Sequence, residues 1–294
     1  MGCYFYDVNR HDIVAISEDV YAALNDILQG KVEIDYIGEA SDEIAYLQST
    51  GFLSHKRVPC IQSPSTNLLP YSLKHKVAHI ALQLTQNCNF RCSYCVYSDL
   101  HNAANRSHST KSMSFETAKK AVDFMLERSR DAETVSVAFY GGEPLLAIKL
   151  IKKVIEYADR VFDGKNLLYV MTTNGSLLTP DIAAYLNEHK VSTTISLDGP
   201  KSIHDISRRF AANGRGSFDS IIANISAIIK EVPEFISRLN INMVIDSRND
   251  FDEIMSLFAS YPFFDEHNIR VSTSLIDDIY SNEKTVLSDA YNKT

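Results

Sequence analysis

From about Val77 onward the chain alternates short apolar runs with amphipathic stretches, and this alternation limits its fold more than any other feature. A strand followed by a helix before the next strand is a right-handed βαβ unit, and a series of such units builds a parallel sheet. The strands predicted are Ile80–Leu84, Val135–Tyr140, Leu167–Thr172, Ser192–Leu197, Leu239–Ile245 and Ile269–Ser274. Helices fall between them. Ser114 caps one whose Phe115, Ala118, Val122 and Leu126 share a face, and Thr179-Pro180 opens another in the favoured N-cap and N1 order. Ser217 opens a third, with Phe218, Ile222, Ile225 and Ile229 at helical spacing. Six strand-helix units predict an α/β fold, a partial (β/α)6 parallel barrel over residues 77–294 with ligands at the C-terminal ends of its strands. Only twenty residues follow Ser274, so the last helix, and any domain beyond it, is expected to be absent from this chain.

The front of the chain reads differently. Two apolar runs, Gly2 to Val8 and His11 to Ile16, predict a strand pair turning at Asn9-Arg10. A helix follows, capped by Ser17 and ended by Gly30, with Val20, Leu24, Ile27 and Leu28 as its apolar face. A second helix is predicted over Ser41–Ser49 with Ile44 and Leu47 buried, and Gly51-Phe52-Leu53 leads into a further strand. These elements make a small α+β, winged-helix-like domain over residues 1–62. The Pro59 to Pro70 stretch, with its prolines, Ser, Thr and Asn, predicts a linker over residues 63–76.

A net charge of −8 argues against a nucleic-acid partner, which normally meets clustered Lys and Arg. No apolar stretch approaches the roughly 18 residues that span a bilayer, so no membrane partner is expected. The N-terminus lacks a basic segment followed by an apolar one, which predicts a cytoplasmic protein with reduced thiols. Of the five cysteines, Cys3 and Cys60 stand apart and have no assigned role, while Cys88, Cys92 and Cys95 crowd the turn after the first barrel strand. Three thiols in CxxxCxxC spacing leave one iron of a [4Fe-4S] cube open to a further ligand. A structural zinc site would need a fourth ligand, which His101 or His108 could supply.

Residues 78 to about 275 resemble the radical S-adenosylmethionine (SAM) superfamily, through CxxxCxxC with Tyr94 before its last Cys and through Gly141-Gly142-Glu143-Pro144 after the second strand. The resemblance implies a [4Fe-4S] cluster on Cys88, Cys92 and Cys95, with the methionine amino group of the cofactor against Gly141, Gly142 and Glu143. Thr173-Asn174-Gly175, Ser196-Leu197-Asp198-Gly199-Pro200, His204-Asp205 with Arg208, and Gly214-Arg215-Gly216-Ser217-Phe218 follow in order, as in the branch of sulfatase-maturating enzymes and peptide maturases. By that resemblance Ser196 would bind the ribose and Arg208, or Arg209, the carboxylate. Asp198 would touch cofactor or substrate, and the adenine would lie along Ile241–Ile245. The implied chemistry is reductive cleavage of SAM to a 5′-deoxyadenosyl radical that abstracts hydrogen from a substrate, with an external electron donor. The front domain resembles the leader-peptide recognition element of enzymes that mature ribosomally made peptides, which implies a precursor peptide as partner and a thioether or similar crosslink as product. A sulfatase-maturase-like enzyme and a non-catalytic peptide carrier remain as alternatives, because members of this branch usually carry further cluster-binding cysteines and none follows Cys95 here.

Overall fold

The computed structural model describes residues 2–31, 40–54, 62–95, 97, 108–246 and 248–276, and divides into two compact units, Met1–Asn67 and Leu68–Thr294. In the first, β1 (Cys3–Asp7) and β2 (Asp12–Ile16) pair antiparallel, with Phe5 opposite Val14 and Tyr6 opposite Ile13. Asp7 closes the turn: its carboxylate accepts from the amides of Asn9, Arg10 and Leu53 at 2.9 to 3.0 Å. Helix α1 (Glu18–Leu28) starts where Ser17 Oγ accepts from Val20 N, and α2 (Ser41–Ser49) packs Ile44 and Leu47 against Val20. Leu28 departs from the expected apolar face and is 84% exposed. At 3.6 residues per turn it lies about 80° round the helix from Val20, whereas Leu24 lies only about 40° away. The strand expected after Leu53 falls on residues 55–61, outside the described residues, as do Cys60 and His101.

The expected linker is helical in its described part, with a 3-10 turn over Pro64–Leu68 and α3 over Leu69–His75. Pro64 and Pro70 stand in the first turns of these elements, where a fixed φ and a missing N–H suit a helix start.

The second unit carries six strands in one parallel sheet, in the order β3 (His79–Thr85), β4 (Thr134–Gly141), β5 (Asn166–Thr173), β6 (Val191–Ser196), β7 (Leu239–Ile245) and β8 (Arg270–Leu275). Spatial order equals sequence order, so every connection is a single crossover to the adjacent position. The crossovers carry α4 (Phe115–Arg128), α5 (Ile148–Val161), α6 (Pro180–Glu188), α7 (Lys201–Ser207), α8 (Phe218–Glu231), α9 (Phe251–Ser260) and the short α10 (Phe263–Glu266). Ser114, Thr179 and Asp250 cap α4, α6 and α9 by accepting the backbone N–H three residues on.

Strand alternation divides the sheet into unlike faces. Val135, Val137 and Phe139, then Tyr169 and Met171, Val191 and Ile195, and Leu239, Ile241 and Met243 are buried beneath the helices. The alternate positions carry Ser136, Ala138, Tyr140, Ser192, Thr194, Ser196, Asn240 and Asn242, which are partly or fully exposed. A parallel sheet covered on both faces would read as continuous apolar runs, and among β4 to β7 only β5, with Leu168 and Val170 at its alternate positions, reads so. The sheet's second face is a wall built to meet something polar.

Candidate functional site

Because side chains alternate, the last residues of like parity on neighbouring strands meet at one corner of the open face. Tyr140, Thr172, Ser196, Asn242 and Val244 are those residues here, and they line a cavity of about 290 Å³. Cys88, Cys92 and Cys95 line it from the loop after β3, with Phe90, Tyr94, Tyr97 and His108 beside them and Gly141, Gly142, Thr173, Asn174 and Arg208 completing the wall. The three cysteines, separated from Ser196 and Arg208 by about a hundred residues of sequence, thus share one enclosure.

The cysteine loop is not free to move by itself. Arg91 N and Ser93 N donate to the carbonyls of Arg209 and Ser207 at 2.9 and 3.2 Å, and Ala211 N donates to Asn89 O at 2.8 Å. Phe90 stacks edge-on against Phe210 with centroids 4.9 Å apart. The chain around Arg208 therefore forms an antiparallel clip along the loop. On its other side the loop meets the glycines: Gly142 N donates to Thr85 O and Glu143 N to Asn87 O, at 2.8 and 2.9 Å. Gly141 has φ +143°, and a Cβ at Gly142 would stand 2.2 Å from Asn87 O and 3.1 Å from Cys88 Cβ. Glycine is required there so that two backbones can touch.

Glu143 is placed differently from the expectation that its carboxylate faces a bound ammonium. It is fully buried and is not among the cavity's lining residues. Its oxygens accept from Leu145 N at 3.0 Å, Thr173 Oγ1 at 2.7 Å and Asn174 N at 2.7 Å, which fastens the glycine turn to the end of β5. Burial raises its pKa, and those donors together with Arg208 work against the rise.

Asp198 also lies behind the wall. It accepts from the Tyr94 hydroxyl at 2.5 Å and from Val244 N at 3.1 Å, and stands 3.7 Å from Arg208 Nη1. Arg208 Nη1 in turn donates to the Tyr94 hydroxyl oxygen at 2.6 Å. Burial works against the Arg208 charge, but the Asp198 carboxylate beside it and the Tyr94 hydroxyl that accepts from Nη1 outweigh it and hold the guanidinium's pKa above its ordinary value. Its Nε is buried with no hydrogen-bond partner among the described residues. Arg209 is exposed and bonds to Ile206 O and Gly214 O, so of the two arginines it is Arg208 that reaches the cavity. Burial pushes the Cys88 thiol up, and pushes Cys92 up to about 11 despite the opposing charge of Arg208.

Behind Asp198 and Arg208 lies His204, fully buried. Asp198 N–H donates to its Nδ1 at 3.2 Å, so the ring proton sits on Nε2 and points to Ser217 Oγ at 3.0 Å. Ser217 then donates to Arg208 O at 2.8 Å. Burial, with the charge of Arg208, lowers the His204 pKa to about 3 and keeps the ring neutral.

Sequence reasoning missed Tyr140, Thr172, Thr173 and Asn174 as cavity residues, although strand parity alone could have found Tyr140 and Thr172; the Ile241–Ile245 stretch it read for adenine does contribute Asn242 and Val244. It had no means to see that the buried Glu143 and Asp198 serve as struts. Among the described residues no three His, Cys, Asp or Glu side chains are drawn in tightly enough to hold a single metal ion, and His101, one of the fourth ligands considered for zinc, lies outside them.

A parallel sheet whose strand ends, cysteine loop and glycine turn enclose one cavity defines an α/β protein built to hold a ligand at its carboxyl edge. The chain belongs to the radical SAM superfamily, whose family model matches residues 82–258. S-adenosylmethionine and a [4Fe-4S] cluster are the cofactors of that superfamily. The chain is 31% identical over 184 residues to the cysteine-type anaerobic sulfatase-maturating enzyme of Clostridium novyi, covering 61% of this chain and 47% of that one. It is 25% identical over 256 residues to the radical SAM cyclopropyl synthase TigE of Paramaledivibacter caminithermalis, covering 81% of this chain and 52% of that one. The solved structure of native anSMEcpe with bound AdoMet shares the fold, with a TM-score of 0.59 and 24% identity over 71% of this chain and 55% of that one. The chain spans about half the length of these relatives. No helix among the described residues is long and apolar enough to cross a membrane.

Proposed function

We propose that this chain holds a [4Fe-4S] cluster on Cys88, Cys92 and Cys95, binds S-adenosylmethionine beside it, and modifies a ribosomally made precursor peptide. One observation carries the reading: three thiols share a single cavity with a buried guanidinium whose Nε has no hydrogen-bond partner among the described residues. The donor set fits both groups, since soft thiolates suit an iron-sulfur cluster and an unsatisfied arginine N–H suits a carboxylate. When bound, the cluster supplies the electron that cleaves S-adenosylmethionine to methionine and a 5′-deoxyadenosyl radical.

The residues of the chain bind and orient. Arg208, steadied by Tyr94 and Asp198, would hold the methionine carboxylate. The backbone of Gly141 and Gly142 would flank the amino end, while Glu143 would act from behind by fixing that turn. Ser196 and Asn242, opposite one another on β6 and β7, would offer hydrogen bonds to the ribose and adenine. Phe90, Tyr94 and Tyr97 would limit the access of water. The electron would come from an external donor.

The front unit supports a peptide substrate. Among the described residues β1 and β2 pair only with each other, which leaves strand edges to which an extended leader could add. Tyr4, Tyr6 and Ile13 are 56%, 54% and 75% exposed on that hairpin, and a cavity of about 330 Å³ opens nearby between Phe5, Leu24, Ile27, Ile44 and Leu53. The likeness to the radical SAM cyclopropyl synthase TigE extends over 81% of this chain, against 61% for the sulfatase-maturating enzyme.

Anaerobic reconstitution with iron and sulfide, iron counting, and an assay for 5′-deoxyadenosine with dithionite test the reading beside a variant with Cys88, Cys92 and Cys95 all replaced by Ala. About four irons per chain, and product that the triple variant does not make, are the expected outcome. A loaded cluster with no cleavage would leave a binding-only barrel. Failure of the wild type to take up iron would refute the assignment.

A further inference from the structure

Cys88 is met by two N–H donors. Its Sγ accepts from Phe90 N at 3.4 Å and lies 3.9 Å from the side-chain nitrogen of Asn174. An asparagine can present either end of its amide, so its surroundings must decide which end faces the sulfur. Here they do. The backbone N–H of Ser176 can only donate, and it meets Asn174 Oδ1 at 3.0 Å, with the Ser176 hydroxyl donating to the same oxygen at 2.7 Å. The oxygen is thereby held away from Cys88, and the NH2 group must face it.

One of those two N–H bonds reaches Asn89 Oδ1 at 2.7 Å, and Asn89 Nδ2 closes the ring by donating to Ser176 Oγ at 2.9 Å. The second N–H is left for Cys88. The ring cannot rotate as a body either. Asn174 N is tied to Glu143, and Asn224 Nδ2 donates to the carbonyls of Gly175 and Ser176 at 2.9 and 3.0 Å. Asn174 is 5% exposed, so its contact with sulfur is little screened by water.

We propose that Asn174 sets the reduction potential of the cluster through an N–H···S hydrogen bond to Cys88, locked in direction by Asn89 and Ser176. The proposal rests on the reading of Cys88 as a cluster ligand. Taking one electron converts [4Fe-4S]2+ to [4Fe-4S]1+ and adds negative charge to the ligating sulfurs. A donor on sulfur therefore stabilises the reduced state more than the oxidised one and raises the potential. Asn174 acts through Cys88 and is a positioning residue.

The test uses the full chain, reconstituted anaerobically, with iron counted and the couple titrated with dithionite under EPR. Asn174→Leu keeps the bulk of the side chain and removes the donor. It is expected to load the same iron and to shift the potential negative by at least about 28 mV, a threefold change in the reduced-to-oxidised ratio at 59 mV per tenfold. Asn224→Ala loosens the same turn without touching the sulfur and is expected to leave the potential in place. The wild type, labelled with 15N only at asparagine side-chain amides, is expected to show a nitrogen coupling to the reduced cluster. Equal potentials in wild type and Asn174→Leu, an equal shift in Asn224→Ala, or no such coupling would each overturn the proposal while leaving the cluster assignment intact. Failure of the wild type to load iron would end both.

Discussion

Acid should weaken the larger unit through one buried imidazole. The unfolded chain protonates His204 near its ordinary pKa of 6.5, while the folded chain resists until about 3. Below pH 6.5 the unfolded state therefore binds a proton that the folded state does not, so stability falls as the pH drops through that window and is fully present above it. At about 1.4 kcal/mol per unit, the 1.5 units between 6.5 and pH 5.0 amount to a loss of roughly 2 kcal/mol. The structure shows the cause: a proton on Nδ1 would face the N–H of Asp198 that now donates to it, with the Arg208 charge close by. Urea unfolding at pH 7.5 and 5.0, on wild type and His204→Gln, separates this group from the carboxylates and other histidines common to both. At pH 7.5 the variant should be less stable by about 1 to 3 kcal/mol, because the Asp198 N–H or Ser217 hydroxyl loses its partner. Between the two pH values, however, the wild type should lose roughly 2 kcal/mol more than the variant. Equal losses in both proteins would refute the claim that His204 is held neutral.

Gly142→Ala should drive a Cβ into Asn87 O and displace Cys88, so iron bound after reconstitution should fall well below the wild-type count while secondary structure by circular dichroism persists. Tyr94→Phe removes the hydroxyl that joins Arg208 to Asp198 and should weaken S-adenosylmethionine binding about tenfold by equilibrium dialysis, at the low end for a hydrogen bond to a charged group. Asp7→Ala strips a partner from three backbone amides and should destabilise the front unit by about 1 to 3 kcal/mol, seen as faster hydrogen exchange at Asn9, Arg10 and Leu53.

The sheet was legible in the sequence because strand-sized apolar runs alternate with amphipathic stretches whose apolar positions recur near a period of 3.6. All six strand positions were read to within one residue at each end. The cysteine loop was legible because three thiols at fixed spacing are rare by chance. What the sequence concealed was the division between cavity wall and support. Glu143 and Asp198 are carboxylates beside a candidate site, and nothing in a linear pattern says that one will spend its oxygens on Leu145, Thr173 and Asn174, or the other on Tyr94 and Val244. Such pairings are set by the register of strands tens of residues apart. Pro64 and Pro70, read as marking a connection, stand at helix starts, since the same residue type that breaks a helix interior also begins one.

The antiparallel clip between residues 89–93 and 207–211 has a thermodynamic consequence. It makes the thiol-bearing loop and the backbone of Arg208 a single mechanical element, so ordering either side orders the other. On the proposed reading, metal uptake at the cysteines and capture of a carboxylate at the arginine draw on one shared loss of conformational freedom. The two events are then positively cooperative, and by reciprocity the factor by which the cluster tightens cofactor binding equals the factor by which the cofactor protects the cluster from loss.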